Sequence, residues 1–242
     1  NDRCFPQQSL RHCNIAATTG SAPPVLVGSP FCRAQGFGRN HPLAIPRVAT
    51  VLRLCEELGW VDESSMRQAP AADLASLVRF HDHEYVSALR DADAAGQVTA
   101  AVRERFGFGT LENPLFPGVF ARAATAVGGS ILAAELALDG RVVFHPAGGT
   151  HHGRPGRASG FCYFNDPVFA ILTLLERSVQ RVLYVDLDAH HGDGVQDAFA
   201  GNPAVLTISV HEDDRWPHSG AADDTGGGNA VNLPVPPGFN DS

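Results

Sequence analysis

The chain is 242 residues long, 44% apolar and 18% charged. That balance belongs to a globular domain, long enough to bury a core without disulfide or metal staples. Net charge is −8 with no basic run, which argues against electrostatic capture of nucleic acid or anionic lipid. All eighteen basic residues are Arg, which excludes lysine Schiff-base chemistry and a phosphate-binding P-loop. The five cysteines (4, 13, 32, 55 and 162) are odd in number and contain no CxxC pair, so a reducing, cytoplasmic setting is expected.

Residues 1–24 lack periodicity and read as an irregular leader; one domain is expected over 25–242. Arg47 to Trp60 places Val48, Val51, Leu52, Cys55 and Leu58 at helical spacing. Further helices are predicted over Ala71–Phe80 and His83–Ala95, then a Gly- and Pro-rich loop over Phe106–Pro117. The apolar stretch Val119–Leu138 is interrupted by Arg122 and Glu135, so it is expected as a buried helix rather than a membrane span. Arg141–Pro146 is a short strand, and Asn165–Arg177 a helix with Asp166 and Pro167 at its start. Arg181–Leu187 reads as a buried strand, Gly194–Ala200 as a short helix, and Ala204–His211 and Ala230–Pro234 as strands. This alternation predicts an α/β fold with an open, mainly parallel sheet flanked by helices.

Two segments carry chemistry. In Asp186-Leu187-Asp188-Ala189-His190-His191-Gly192-Asp193, ionisable residues leave the carboxyl end of an apolar strand, where open α/β sheets place their ligands. A parallel strand alternates faces, so Asp186, Asp188 and His190 are expected to point roughly the same way. A carboxylate and an imidazole side by side suit a divalent metal. Gly148-Gly149-Thr150-His151-His152 supplies adjacent imidazoles. Each held by a buried carboxylate, they would form a general base and a general acid.

RVLYVDLDAHHGDGVQDAF (181–199) and GGTHHGRPGRASGFCYFND (148–166) resemble the two signature segments of the zinc-dependent histone deacetylase family. That family includes bacterial acetoin-utilization and acetylpolyamine amidohydrolase relatives. HPLAIPRV (41–48), HDHEYVSAL (81–89), GTLENPLFPGVF (109–120) and, more loosely, SVHEDDRWPHSG (209–220) are similar to further family segments. The resemblance implies an arginase/deacetylase-like fold and Zn2+ as cofactor, with Asp188 and His190 as two of three metal ligands. His151 and His152 match the tandem catalytic histidines, partnered by Asp186 and Asp193 respectively. Gly160, Phe161, Trp216 and Glu112 match the substrate channel and its rim, and Arg47 an acetate-release passage. Asp186, Asp188, His190, Ser209 and Val210 fall where the family binds a monovalent cation, K+. The implied substrate is an acetylated lysine peptide or an acetylated small amine, with neither nucleic acid nor membrane as partner.

The family's third zinc ligand, an aspartate, and its oxyanion-binding tyrosine match nothing up to Ser242. The domain is therefore expected to be incomplete at its C-terminal end and its activity impaired. Two alternatives stand beside this reading. One is a deacetylase-like binding module without turnover. The other is a manganese ureohydrolase, whose Asp-Ala-His-x-Asp run is one residue shorter than the Asp188–Asp193 run here. His81 and His83 are read as capping or packing a helix, and Cys162 as a small buried residue rather than a nucleophile.

Overall fold

The computed structural model describes residues 23–30, 41 and 44–240. Of the expected leader only residues 23 and 24 fall within that range, both exposed and without regular structure. Cys4, Cys13 and Cys32 lie outside it.

Among the described residues six strands form two parallel sheets. β1 (Val25–Gly28), β2 (Met66–Gln68) and β3 (Val143–Phe144) pair in the order β2-β1-β3. β4 (Val182–Asp186), β5 (Val205–Glu212) and β6 (Ala230–Val235) pair in the order β4-β5-β6. Parallel neighbours need long crossovers, and helices supply most of them. These are α1 (Arg47–Glu57), α2 (Leu74–Leu77), α3 (His83–Ala95), α4 (Ala100–Phe106), α5 (Val119–Leu138), α6 (Asp166–Glu176) and α7 (Asp193–Ala198). The α/β reading stands, with the strands divided between two three-stranded sheets.

The helix predicted over Ala71–Phe80 is a single turn, α2. Asp73 is its N-cap, accepting a hydrogen bond from the Ser76 amide at 2.8 Å. Upstream, Ala72 instead donates its amide to Ala124 O on α5 at 2.9 Å, so the chain there is committed to a tertiary contact. The helix α5 has the length and hydropathy of a membrane span. Residues 124–130 are nevertheless buried without a break, and it packs against α6, α3 and the first sheet. It is the core helix its interrupting charges predicted.

The main core gathers Leu77, Tyr85, Leu89, Phe106, Phe108, Val127, Phe164 and Phe169 around α3 and α5. A second cluster of Val168, Ile171, Val195, Phe199 and Val205 lies between α6, α7 and the inner face of β4 and β5. Each such side chain contributes roughly 1.5–3 kcal/mol by leaving water. Together they fix the positions of the two loops that carry the site.

Candidate active site

The inner face of the second sheet changes character along its strands. Val182 and Val205 pair at the amino end; two steps on, Tyr184 faces Thr207, and two further Asp186 faces Ser209. The sheet therefore delivers Asp186, 6% exposed, to its carboxyl end. The strand stops there, so alternation of faces does not position Asp188 and His190, contrary to the sequence-based expectation. The loop does it with its own carboxylates. Asp186 Oδ1 accepts the Asp188 amide at 3.0 Å, and Asp188 Oδ1 accepts the His190 amide at 2.8 Å. Each acid folds the chain onto the residue two positions ahead, the turn-forming habit of Asp.

The tandem histidines arrive from the loop between β3 and α6. His151 Nδ1 lies 2.6 Å from Asp186 Oδ2, and His152 Nδ1 lies 2.6 Å from Asp193 Oδ1. All four side chains are buried, and the two imidazole centroids are 3.9 Å apart. With both Nδ1 atoms tied to carboxylates, Nε2 is the free nitrogen of each ring, and both residues line one cavity.

The two rings are driven apart in pKa. Burial pulls His151 down, but the hydrogen bond and charge of Asp186, with Asp188 and Asp193 behind it, outweigh burial and raise it above the usual imidazole value. For His152 burial wins over the Asp193 hydrogen bond, helped by the neighbouring His151 and His190 rings, and its pKa is lowered. Burial opposes ionisation of Asp193, yet bonds from His152 and the Arg154 guanidinium hold it below the usual carboxylate range. Asp186 is held low in the same way, against burial, by His151 and by the Tyr184 hydroxyl. One imidazole leaning to its cation beside one held neutral is the division of labour that acid–base sites use.

Asp188 and His190 stand next to this pair. Asp188 Oδ1 is 2.9 Å from His190 Nδ1 and 3.9 Å from His151 Nε2. An oxygen and a nitrogen donor thus converge on one point at the cavity wall, which fits one ion such as zinc. Among the described residues no group of three or more His, Cys, Asp or Glu side chains converges to hold a metal, so the donors present are a pair. Of the expected monovalent-cation residues, Ser209 lies across the strand pair from Asp186. Its hydroxyl is 3.0 Å from His211 Nδ1, and Val210 follows on β5.

The cavity holds about 900 Å3. Glu112, Gly160, Phe161, Trp216 and Arg47 all line it, together with His151, His152, Asp188 and His190. Trp216 meets the His152 ring edge-on at 4.7 Å between centroids. Phe161 meets His41 in the same manner at 4.6 Å. Glu112 Oε1 accepts the Gly160 amide at 2.9 Å, so this acid braces the rim as well as charging it. Cys162 is buried and its thiol pushed far up by burial, out of the range of a nucleophile.

The structure adds residues that sequence reasoning passed over. Arg154 bridges Asp193 and Asp197; its place two residues after His152 was the available signal. Tyr184 donates to Asp186 Oδ2 at 2.7 Å, and Arg215 Nε approaches His190 Nε2 at 3.3 Å. The other two tyrosine hydroxyls donate to Tyr163 O and Pro114 O. All three hydroxyls are therefore engaged by acceptors within the protein, although Tyr163 itself lines the cavity.

Comparison with known proteins places the chain in a family. Residues 41–242 match the model of the histone deacetylase domain. The chain belongs to the histone deacetylase family. Acetoin utilization protein AcuC of Bacillus subtilis (strain 168) is 36% identical over 220 residues, covering 87% of this chain and 56% of that protein. Histone deacetylase 1 of Oryza sativa subsp. japonica is 36% identical over 212 residues, covering 85% and 40%. The crystal structure of an HDAC homolog from Aquifex aeolicus superposes with a TM-score of 0.84 at 35% identity, covering 91% of this chain and 61% of that one. A second structure of an HDAC homolog, equally similar, is complexed with SAHA. The chain thus spans about half the length of the curated relatives it matches.

Proposed function

We propose that this chain carries the histidine half of a zinc-dependent deacetylase site, which removes acetyl groups from acetyl-lysine or an acetylated small amine. The observation that carries the reading is the meeting of the Asp188–His190 donor pair with two carboxylate-held imidazoles in one cavity. Asp188 and His190 would hold the ion, which when bound supplies Lewis acidity toward an amide carbonyl and a water. His152, held neutral, accepts the water's proton at Nε2 and returns it to the departing amine. Asp193 fixes the ring so that Nε2 faces the cavity. His151, leaning to its cation, donates from Nε2. Phe161 and Trp216 wall the approach and exclude water, and the acidic rim at Glu112 suits a cationic substrate. Arg47 would accompany the released acetate. K+, if bound by the 186–190 and 209–210 segments, would steady the loop that presents Asp188.

Two protein donors hold zinc less tightly than three, so weak zinc affinity and slow turnover are expected of the chain as it stands. Calorimetric zinc titration and a fluorogenic acetyl-lysine assay test this, with His152→Ala lowering kcat by about 100-fold or more. Burial lowers the His152 pKa from the ordinary 6.5, so the midpoint of the acid limb of the rate profile should lie below that value. Binding of an acetylated ligand with no acetate release would replace this reading by a binding module. Two manganese ions per chain would replace it by a ureohydrolase.

A further inference from the structure

The backbone that presents the two histidines is clasped from below by two consecutive side chains at the start of α6. Asp166 is 1% exposed, and among the described residues neutral donors, with no basic side chain, take up its carboxylate. Oδ1 accepts the Thr150 amide at 2.7 Å and the Thr150 hydroxyl at 2.5 Å. Oδ2 accepts the Gly149 amide at 3.1 Å and the Ser130 hydroxyl, from α5, at 2.5 Å. Asn165 takes the other end of the same strap. Its Nδ2 donates to His151 O at 3.1 Å and to Gly153 O at 3.0 Å, while its Oδ1 caps α6.

Burying a carboxylate costs free energy, and an apolar replacement can be stability-neutral. What the carboxylate provides here is position. It sits at a helix N-terminus that favours negative charge and ties residues 149–150 to the two helices packed most extensively together. Gly148 is part of the fit: a Cβ there would lie 2.7 Å from Asp166 Oδ2. His151 and His152 follow without a spacer, so the direction in which residue 150 leaves the clamp sets how both rings reach Asp186 and Asp193.

We infer that Asp166 and Asn165 are positioning residues for the tandem histidines, acting through the backbone of residues 149–153 and touching neither substrate nor metal. The inference rests on the deacetylase reading for its kinetic consequence but not for its structural one. The test is Asp166→Asn in the full chain, which keeps the shape while turning one oxygen into a donor that opposes two others. Val205→Ala, a truncation in the neighbouring apolar cluster that leaves the hydrogen bonds of the clamp intact, serves as a destabilised comparison. Proton NMR reads the His151 and His152 Nδ1–H signals, which bonds of 2.6 Å to carboxylates should move far downfield and protect from exchange.

Asp166→Asn should shift or broaden both signals while the fold persists by circular dichroism; Val205→Ala should leave them in place. Where turnover is measurable, Asp166→Asn should lower kcat by about 100-fold, the scale of a misplaced catalytic group, with KM unchanged. Unmoved signals with unchanged kcat would overturn the inference and leave the deacetylase reading standing. Downfield signals lost in the variant, from a parent that hydrolyses no acetylated amine, would uphold the clamp and sink the deacetylase reading. A parent chain with no downfield signal would overturn the clamp.

Discussion

His81 belongs to no catalytic pair, yet its surroundings make it the residue through which acid should loosen this fold. It is 2% exposed, with Nδ1 3.0 Å from Arg154 O and 3.2 Å from Pro155 O, while Nε2 accepts the Asn165 amide at 3.1 Å. Nε2 can accept only when unprotonated, which fixes the neutral tautomer. Burial, only partly offset by the two carbonyls, lowers its pKa from 6.5 to about 4. A depressed histidine gives stability that is complete above pH 6.5 and is lost as pH falls toward 4, because the unfolded chain binds the proton first. The full effect is about 3 kcal/mol at 1.36 kcal/mol per unit. Denaturant unfolding at pH 7 and pH 5 should show wild type losing about 2 kcal/mol more than His81→Gln. Equal losses would remove His81 from the account. Gly160 supplies the second prediction at this scale. Its φ is +54, and a Cβ would lie 2.5 Å from both His152 Cδ2 and Trp216 Cη2. Gly59 shares the left-handed backbone, φ +65, with nothing within 4 Å. Both Gly→Ala changes should cost about 1–2 kcal/mol in strain. Gly160→Ala alone should reduce acetyl-lysine turnover, about tenfold or more.

Between elements, the start of α5 depends on a residue of α3. Gly118 opens that helix with no side-chain cap of its own. Asp93 instead accepts the Gly118 amide at 2.8 Å on Oδ1 and the Phe120 amide at 3.0 Å on Oδ2. Asp93→Ala should therefore cost about 1–2 kcal/mol, as the loss of an N-cap does, although Asp93 sits in the last turn of a different helix. Thermal unfolding of Asp93→Ala against Asp93→Asn, which keeps one acceptor, checks it. No local pattern could announce this cap, and the same logic explains what the sequence left unread. Asp188 and His190 were legible because the motif is contiguous, while Arg215 reaches His190 only once the chain returns after β5. Strand β1 is four buried residues, VLVG; a short run with no alternation carries little periodic signal, and β2 has three residues. Helix α4 did carry signals, Thr99 as N-cap and Gly107 in the left-handed C-terminal position. Its sequence AAVRERF offers only Val102 and Phe106 as an apolar face. By contrast His83–Ala95 was predicted with its observed bounds, because Asp82 precedes it, Gly96 follows it, and Tyr85, Val86, Leu89 and Ala92 mark its buried stripe.

At the scale of the whole molecule, the second sheet is finished on one side only. Its inner face delivers Asp186 and Ser209 to the site at its carboxyl end. Its outer face carries Leu183 and Val185 on β4, Leu206 on β5, and Val231 and Leu233 on β6, exposed by 59, 49, 42, 42 and 47%. Pairing sets Leu183 beside Leu206, and Val231 and Leu233 beside Ile208 and Val210, so these side chains make one continuous apolar surface. Parallel sheets are otherwise covered on both faces, and an apolar patch of this kind drives association. The isolated 242-residue chain should bind a hydrophobic dye and form concentration-dependent oligomers in sedimentation velocity. Leu183→Glu with Leu233→Glu should suppress both. Because those side chains point away from Asp186 and Ser209, the downfield His151 and His152 signals should survive the change. A wild-type chain that stays monomeric and dye-silent would overturn this reading of the outer face.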